Sequence, residues 1–336
     1  MTTAVVADVA SIVRRGLKLR DDAPVSVTED GALSNINYVY RVEVYGRSLY
    51  LKVIPEQPKR LPVKLPRERV FSEAAGLWQF RAFAGGEVLI PEVLFVDRDE
   101  FALAMTDVGE GRAVLFNVIR DDFDLLLEAA QPLGRGLGAV HACTRGKASP
   151  RPAQEEAIVR RIVFDGLLAP GARQVFAEQW DGIRAEMEAH RECLIHADLW
   201  SKNLLVRRGA PVALVDFEGV CCGDPAFDLG TLIAVALLPA LQNPALVDAA
   251  LSFIEQLVNT WTIAVSDAAW VDAVLPRTFR ATATFLAARG FGPFAYDMSD
   301  DARQRVRALA GDLASDTRDT FDAFQRKVVS HARARL

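Results

Sequence analysis

Two short apolar runs, each followed at once by acidic residues, most constrain how this chain can fold. The first run ends at Ile195 and leads to Asp198, and Asn203 follows that aspartate by five residues. The second run leads directly to Asp216, with Glu218 two residues further on. Short strands on either side of a polar loop would bring these side-chain oxygen atoms to one place. The rest of the chain is therefore expected to hold this cluster of oxygen atoms in position.

Length and composition favour a soluble globular protein. The chain has 336 residues, enough for one large domain or two lobes. Hydrophobic residues make up 51% of it and charged residues 25%, which is ordinary for a globular fold. The net charge of -5 argues against a nucleic-acid partner, which would require a basic surface.

No segment of the sequence predicts export or membrane insertion. Residues 1–10 lack a basic stretch followed by an apolar core, so no signal peptide is expected. The most apolar segment, 229–241, is too short to span a bilayer and contains Pro239, which favours a buried helix. The four cysteines match no zinc-binding spacing and are expected to be reduced thiols. These features predict a cytoplasmic protein with no membrane partner, and they leave a homodimer open.

The first third of the chain predicts a sheet with one long helix. A helix over residues 1–20 is followed by segments in which apolar and polar residues alternate, the pattern of strands. The predicted strands begin at residue 25 and lie near 38–44, 48–54, 93–96 and 101–105, and the predicted helix covers 67–83. We therefore expect an N-terminal lobe over 1–107 with a five-stranded sheet, and a hinge near 107–112.

The pattern beyond the hinge is mostly helical and predicts a second lobe over residues 108–336. The predicted helices cover 121–143, 155–167, 171–190, 225–241, 245–263, 267–289 and 302–333. The strands around Asp198 and Asp216 are the exception to this helical pattern.

A lysine inside an apolar strand requires a partner. Lys52 lies in the third predicted strand, where an unpaired charge would be costly. Glu73 shares a helix face with Val70 and Leu77, so it is the candidate partner. The alternatives are a lysine at a sheet edge whose charge reaches solvent, and an ordinary exposed glutamate.

Five residues in chain order fit the needs of phosphoryl transfer. Lys52 would neutralise nucleotide phosphates, and Glu73 would hold the lysine in place. Asp198 would accept a hydrogen bond from an acceptor hydroxyl and align it for attack. Asn203 and Asp216 would supply oxygen ligands to magnesium. The same order of lysine, glutamate, aspartate, asparagine and aspartate is typical of kinases.

Residues His196–Asn203 resemble the catalytic loop of the aminoglycoside phosphotransferase and choline kinase superfamily. Residues 215–218, in which Glu218 follows Asp216 by two positions, resemble the metal loop of choline and methylthioribose kinases, and residues 223–230 match the superfamily as well. The resemblance implies an α+β, two-lobed, protein-kinase-like fold. Its N-terminal lobe would contain a five-stranded antiparallel sheet and a helix, and its C-terminal lobe would be mainly helical.

The resemblance also implies cofactors and roles. ATP would be the phosphoryl donor, with GTP as an alternative, and Mg²⁺ would be the metal. Asp198 would be the catalytic base, and Glu218 would join Asn203 and Asp216 at the metal. His196 and Asp228 would brace the catalytic loop.

The N-terminal half is similar to methylthioribose kinase over residues 35–42, 51–52, 65–73 and 91–93. The predicted nucleotide-binding residues lie around a polar turn, on the third strand, on the helix and at the hinge: Ser34, Asn35, Asn37, Lys52, Glu73, Thr106 and Asp107. The catalytic loop departs from that family, which usually has histidine in place of Trp200 and serine in place of Asn203. Trp200 and Ser201 are closer to the fructosamine kinase loop, but Lys202 replaces its usual glycine.

The acceptor is a small molecule whose identity the sequence leaves open. Residues 108–336 contain 25 basic and 29 acidic residues, a balance that fits a neutral sugar as well as choline or an aminoglycoside. Trp200, Arg277 and Arg280 are candidate acceptor contacts. The alternatives are a tryptophan in the core and two arginines on a solvated helix face.

Two other classes of protein compete with a small-molecule kinase. A pseudokinase would bind nucleotide without chemistry, and it would have no need for the base Asp198. A protein kinase would require a glycine-rich GxGxxG loop, and the sequence has none.

Overall fold

A five-stranded antiparallel sheet and one long helix form the N-terminal part of the protein. The computed structural model describes residues 9–29, 36–59, 64–315 and 320–334. Helix α1 (Val9–Gly16) precedes strands β1 (Val25–Glu29), β2 (Tyr38–Val44) and β3 (Arg47–Val53), and helix α2 (Arg69–Phe83) precedes β4 (Val93–Asp97) and β5 (Ala102–Thr106). The strands lie in the order β1-β2-β3-β5-β4. The predicted five strands and their helix are confirmed, whereas Ser34 and Asn35 lie outside the described residues.

Alternation along β3 decides which face of the sheet each side chain occupies. Leu51 lies in the apolar cluster between the sheet and α1. Lys52, the next residue, therefore points to the opposite face. Helix α2 covers that face and buries Leu77 and Phe80 almost completely. The sequence thus places the lysine against the helix that carries Glu73.

The C-terminal part of the protein is mostly helical. Its helices are α3 (Leu115–Val118), α4 (Asp124–Thr144), α5 (Ala153–Arg161), α6 (Ala169–Ala189), α7 (Pro225–Gln242), α8 (Val247–Val265), α9 (Ala268–Phe291), α10 (Asp300–Ser315) and α11 (Phe321–Ala332). A π-helical segment over Ile162–Leu168 continues α5 into α6. The prediction of a single helix over 302–333 is wrong. The hydroxyl of Thr320 accepts a hydrogen bond from the backbone N–H of Ala323 and caps a separate helix.

Helix α7 is the central buried helix of this part. It is 18 residues long and apolar enough to cross a membrane by length and composition alone, but 94% of it is buried inside the protein. Helix α9 packs along it, and Gly230 of α7 comes so close to Ala281 and Thr282 that a side chain at that glycine would collide with them. The prediction of a buried helix in this segment is confirmed.

Short strands hold the two acidic loops side by side. The strands are β6 (Ala113–Val114), β7 (Cys193–Ile195), β8 (Leu204–Val206), β9 (Ala213–Leu214) and β10 (Cys221–Gly223). Strand β7 pairs with β10, and β8 lies between β6 and β9. Asp198 follows β7, and Asp216 follows β9. The backbone N–H of Val215 donates to the carbonyl of Asn203 at 3.1 Å, so the two loops are joined directly.

Candidate active site

Lys52 is the point at which the sheet meets the acidic loops. Its ammonium donates to Glu73 at 2.8 Å and to Asp216 at 2.7 Å, and it lies 3.3 Å from a carboxylate oxygen of Glu218. The lysine and Glu73 side chains are 5% and 2% exposed. Burial alone would lower the pKa of Lys52, but the surrounding carboxylates outweigh it and raise that pKa well above its ordinary value. The lysine is therefore a fixed positive charge.

Asp198 and Asn203 form the second part of the site. The side-chain amide of Asn203 donates to the Asp198 carboxylate at 2.7 Å and to the Asp198 carbonyl at 2.8 Å. A short 3-10 turn over Ser201–Asn203 sets this five-residue spacing. Burial and the nearby charge of Asp216 raise the pKa of Asp198 to about 6, against opposing effects from Arg289, Asn203 and others. A carboxylate with a pKa near neutrality is suited to general-base chemistry.

Left-handed backbone conformations aim two of these carboxylates. Asp216 has φ 65° and ψ 66°, and Ala197, directly before Asp198, has φ 64°. Such conformations are unfavourable for residues other than glycine and persist only where the surroundings impose them. Beside Asp216, the ring of Phe217 packs on His196 at 4.4 Å and on Phe80 at 5.2 Å, which anchors the loop to α2.

Asp228 braces the loop that carries the candidate base. Its two carboxylate oxygens accept from the backbone N–H groups of His196 at 2.8 Å and Ala197 at 2.9 Å. The His196 ring is buried between aromatic rings, and this burial lowers its pKa, so the imidazole is neutral. The contact of His196 with Asp228 is made by its backbone N–H and not by its ring.

A hydrogen-bonded pair behind Asp228, Trp261 with His141, was not predicted from the sequence. The indole N–H of Trp261 donates to Nδ1 of His141 at 3.0 Å, so the proton of a neutral His141 lies on Nε2, 3.4 Å from Asp228. All three side chains are fully buried. No local sequence pattern links these three residues, because they lie on three separate helices.

The donor set around Asp216 fits magnesium. Asp216 and Glu218 bring carboxylate oxygens to the same ammonium group, and Asn203 lies on the adjoining loop. Burial raises the pKa of Glu218 to about 7, and the neighbouring Asp216 carboxylate adds to this rise. Within the described ranges no three acidic, histidine or cysteine side chains form a preassembled cage. Mg²⁺ does not need one, because it keeps waters and phosphate oxygens among its ligands.

Asn37 supports the metal loop from the sheet. Its amide donates to Glu218 at 2.5 Å and accepts from Arg69 at 3.0 Å, and the residue is fully buried. Arg151, which the sequence analysis missed, donates to the Glu218 carbonyl at 2.6 Å and pairs with Glu155. The role of Asn37 in nucleotide binding stays a prediction, and its side chain contacts the candidate metal ligand Glu218.

The side chains of Thr106 and Asp107, at the predicted hinge, form hydrogen bonds with other groups of the protein. The Thr106 hydroxyl accepts from the backbone N–H of Glu92 at 2.9 Å. The Asp107 carboxylate accepts from the Ser48 hydroxyl and from the Gly109 backbone, both at 2.7 Å. The nucleotide-binding roles of Thr106 and Asp107 stay predictions.

Trp200, within the predicted catalytic loop, packs against the helical core. Its ring packs edge-to-face on Phe285 at 5.5 Å, and the residue is only 8% exposed. The guanidinium of Arg289 stacks 3.9 Å from the centre of the ring. Arg289 was absent from the predicted site, and nothing in its local sequence distinguishes it from other helical arginines.

The structure does not place Arg277 or Arg280 at the acceptor site. Arg277 donates to Asp224 at 2.7 Å and to Glu192 at 2.9 Å, and Arg280 donates to Glu186 at 2.7 Å. Both arginines are 6% exposed, so the alternative of a solvated face is also wrong. They are structural residues, because carboxylates from neighbouring segments neutralise them inside the helical part.

The site combines a paired lysine and glutamate on the five-stranded sheet with an Asp–Asn loop and an acidic loop on the helical part. This combination defines a kinase-like phosphotransferase. The model of a phosphotransferase enzyme family, APH, matches residues 32–264, and the protein belongs to this family. It is thus an enzyme of the small-molecule kinase class, with a hydroxyl group as phosphoryl acceptor.

Solved structures share the fold at low sequence identity. A microcompartment-associated aminopropanol kinase is 20% identical, with 91% of this chain and 95% of that one covered and a TM-score of 0.51. The aminoglycoside phosphotransferase APH(4)-Ia is 15% identical, with 95% and 98% covered and a TM-score of 0.51. A choline/ethanolamine kinase family protein from Mesorhizobium loti is 17% identical, with 96% and 99% covered and a TM-score of 0.51. No curated protein sequence matches the chain.

Proposed function

We propose that the protein transfers the γ-phosphoryl group of ATP to a hydroxyl group of a small molecule in a magnesium-dependent reaction. The contact of Lys52 with both Glu73 and Asp216 carries this proposal, because it joins the sheet to the loops that hold the candidate base and metal ligands. Phosphoryl transfer relies on this kind of positioning and charge neutralisation.

Asp198 is the proposed base. It accepts a hydrogen bond from the acceptor hydroxyl, whose oxygen attacks the γ-phosphorus while the bond from that phosphorus to the leaving ADP oxygen breaks. The hydroxyl proton passes to the carboxylate. Asn203 fixes the orientation of this carboxylate through its 2.7 Å hydrogen bond.

Lys52 binds nucleotide phosphates in this proposal, and Glu73 keeps its ammonium in place. Asn203, Asp216 and Glu218 would hold Mg²⁺, which when bound neutralises charge on the phosphate oxygens. The acceptor proposed from the sequence is a sugar of the methylthioribose kind or an amino alcohol, with choline, ethanolamine and aminoglycosides as alternatives.

A coupled assay of ADP release over a panel of acceptors tests the proposal. The panel contains methylthioribose, choline, ethanolamine, fructosamine, aminoglycosides and anionic sugars, each with ATP and with GTP. Stimulation by at least one acceptor is expected, and only with magnesium. Intact binding of magnesium-ATP without stimulation by any acceptor would instead favour a regulatory pseudokinase.

A further inference from the structure

Arg289 lies near the end of α9, beside the catalytic loop, and it has no carboxylate partner within the part of the chain that the structure describes. Its guanidinium carbon lies 3.9 Å from the Trp200 ring centre and 5.7 Å from that of Tyr296. Among the described residues, Nε is enclosed without a hydrogen-bond partner, and Nη1 makes only a long contact of 3.4 Å with the Phe294 carbonyl. A partly enclosed cation with unused donors is unfavourable until a ligand satisfies it.

The stacking of Arg289 on Trp200 places the arginine beside the candidate base. Trp200 follows Asp198 by two residues in the same loop. Lys52 lies on β3, whereas Arg289 lies on α9. The arginine thus belongs to the helical side of the site, away from the lysine proposed to bind nucleotide.

The aromatic surfaces around this arginine are already covered by the protein's own cations. Arg289 lies over Trp200, and the ammonium of Lys202 lies 5.0 Å from the ring centre of Phe116. Phe116 packs on Tyr296 at 5.4 Å, which makes one continuous cluster. A quaternary or primary ammonium acceptor would normally bind on such aromatic faces. Here it would meet two like charges instead.

On the function proposed above, we propose that Arg289, with Trp200 and Tyr296, forms a subsite for an anionic group of the acceptor, a carboxylate or a phosphate. A guanidinium presents parallel N–H donors that match the oxygen atoms of these groups. Stacking on Trp200 holds the guanidinium plane in place, so little side-chain freedom is lost on binding. The anion does not react, and its role is to orient the acceptor so that a hydroxyl group faces Asp198.

The experiment compares acceptors that differ mainly in charge. Ribose, ribonate, ribose 5-phosphate and ethanolamine are assayed for ADP release together with further hydroxy acids and sugar phosphates and their neutral parents. Binding of each compound is also measured by calorimetry with a non-hydrolysable ATP analogue present. The carboxylate and phosphate arms of the panel identify which anion the subsite takes.

The variants are Arg289→Gln, Arg289→Lys and the matched control Arg145→Gln. Arg145 also stacks on a tryptophan, 4.4 Å from the centre of the Trp270 ring, but it is paired with Asp267 and lies outside the site. At least about a tenfold loss of affinity and of kcat/KM for the anionic acceptor is expected in Arg289→Gln, as for loss of one charge-assisted contact. Arg289→Lys should retain part of the affinity, and Arg145→Gln all of it.

Three results would overturn the subsite. The first is equal binding of anionic and neutral acceptors, and the second is no binding of any anionic member of the panel. The third is an equal loss for every acceptor in Arg289→Gln, since the arginine would then act on the transferred phosphoryl group. Binding is measured apart from turnover, so anion binding that depends on Arg289 without ADP release would uphold the subsite and count against the proposed reaction alone.

Discussion

The Lys52 ammonium donates to the Asp216 carboxylate at 2.7 Å, across 164 residues of chain. The same ammonium donates to Glu73. One buried cation therefore ties a strand, a helix and the acidic loop together. This contact makes the site a single electrostatic unit, in which the loss of one member leaves buried charge uncompensated.

Replacing Lys52 with methionine is expected to impair nucleotide binding and stability together. Glu73 and Asp216 would lose their common counter-ion, and removing one partner of a buried ion pair typically destabilises a protein by about 3–5 kcal/mol. The KM for ATP should rise by at least about tenfold, since one charge-assisted phosphate contact is lost. Urea denaturation and initial rates at varied ATP measure the two effects. The control is Lys64→Met, because Lys64 forms an exposed pair with Glu56 and should affect neither.

Replacing Asp198 with asparagine is expected to abolish most turnover while nucleotide binding persists. The amide cannot take the hydroxyl proton, and general-base catalysis contributes about 10²–10⁴-fold in rate. The hydrogen bond with Asn203 can reform with an amide, so the loop should stay folded. Single-turnover kinetics and calorimetric titration with ATP separate the two properties. Loss of ATP binding with little change in the chemical step would show that the base has been misplaced.

The core of the site was predictable because its residues carry local patterns. Lys52 interrupts an apolar strand, Glu73 shares a helix face with apolar residues, and Asp198 and Asn203 keep a five-residue spacing after an apolar run. Each pattern depends on a period or spacing that a single segment contains. The five-stranded sheet was predictable for the same reason, since its strands alternate clearly.

The remaining site residues were missed because their roles arise only from tertiary contacts. Arg151 reaches the Glu218 carbonyl across 67 residues. Arg277, a predicted acceptor contact, instead pairs with Asp224 across 53 residues. Nothing in the local sequence distinguishes a buried, paired arginine from one on a solvated helix face. Arg289 is similar, because its position over Trp200 depends on how α9 packs against the catalytic loop. Local sequence patterns therefore do not show which charged residues pair across long stretches of the chain.

Replacing Asp228 with asparagine is expected to slow catalysis more than it weakens nucleotide binding. Its carboxylate accepts from the backbone of His196 and Ala197, and an amide can replace only one of its two accepting oxygens. Leaving one buried N–H group without an acceptor costs about 1–3 kcal/mol. Because Ala197 holds a left-handed conformation directly before Asp198, the candidate base should shift, and kcat should fall at least tenfold at unchanged KM for ATP.

The comparison variant for Asp228 is Trp261→Phe. It removes the indole N–H that donates to His141 together with part of the buried ring, while both backbone contacts of Asp228 survive. We expect a loss of stability of about 2 kcal/mol, from the lost hydrogen bond and the small cavity, with kcat within a few fold of wild type. Steady-state kinetics and urea denaturation are measured on both variants. An equal fall in kcat for the two variants would mean that the hydrogen-bonded series of Trp261, His141 and Asp228 sets the loop position, rather than Asp228 alone.

The ion pair of Asp97 with Arg15 is expected to make the stability of the sheet dependent on pH. Burial tends to raise the pKa of Asp97, but the backbone N–H groups of Glu100 and Asp99 and the Arg15 guanidinium lower it below its ordinary value. A carboxylate with a lowered folded-state pKa stabilises the fold above the unfolded-state pKa and loses that contribution as pH falls through the folded-state value. Asp97→Asn should therefore be less stable than wild type at pH 7, by about 1–3 kcal/mol for lost hydrogen bonds to a charged group. The difference in free energy of unfolding, from urea titrations between pH 7 and 3, should shrink only below about pH 4. A difference that stays constant over that range would show that the carboxylate's charge is not what stabilises this corner of the sheet.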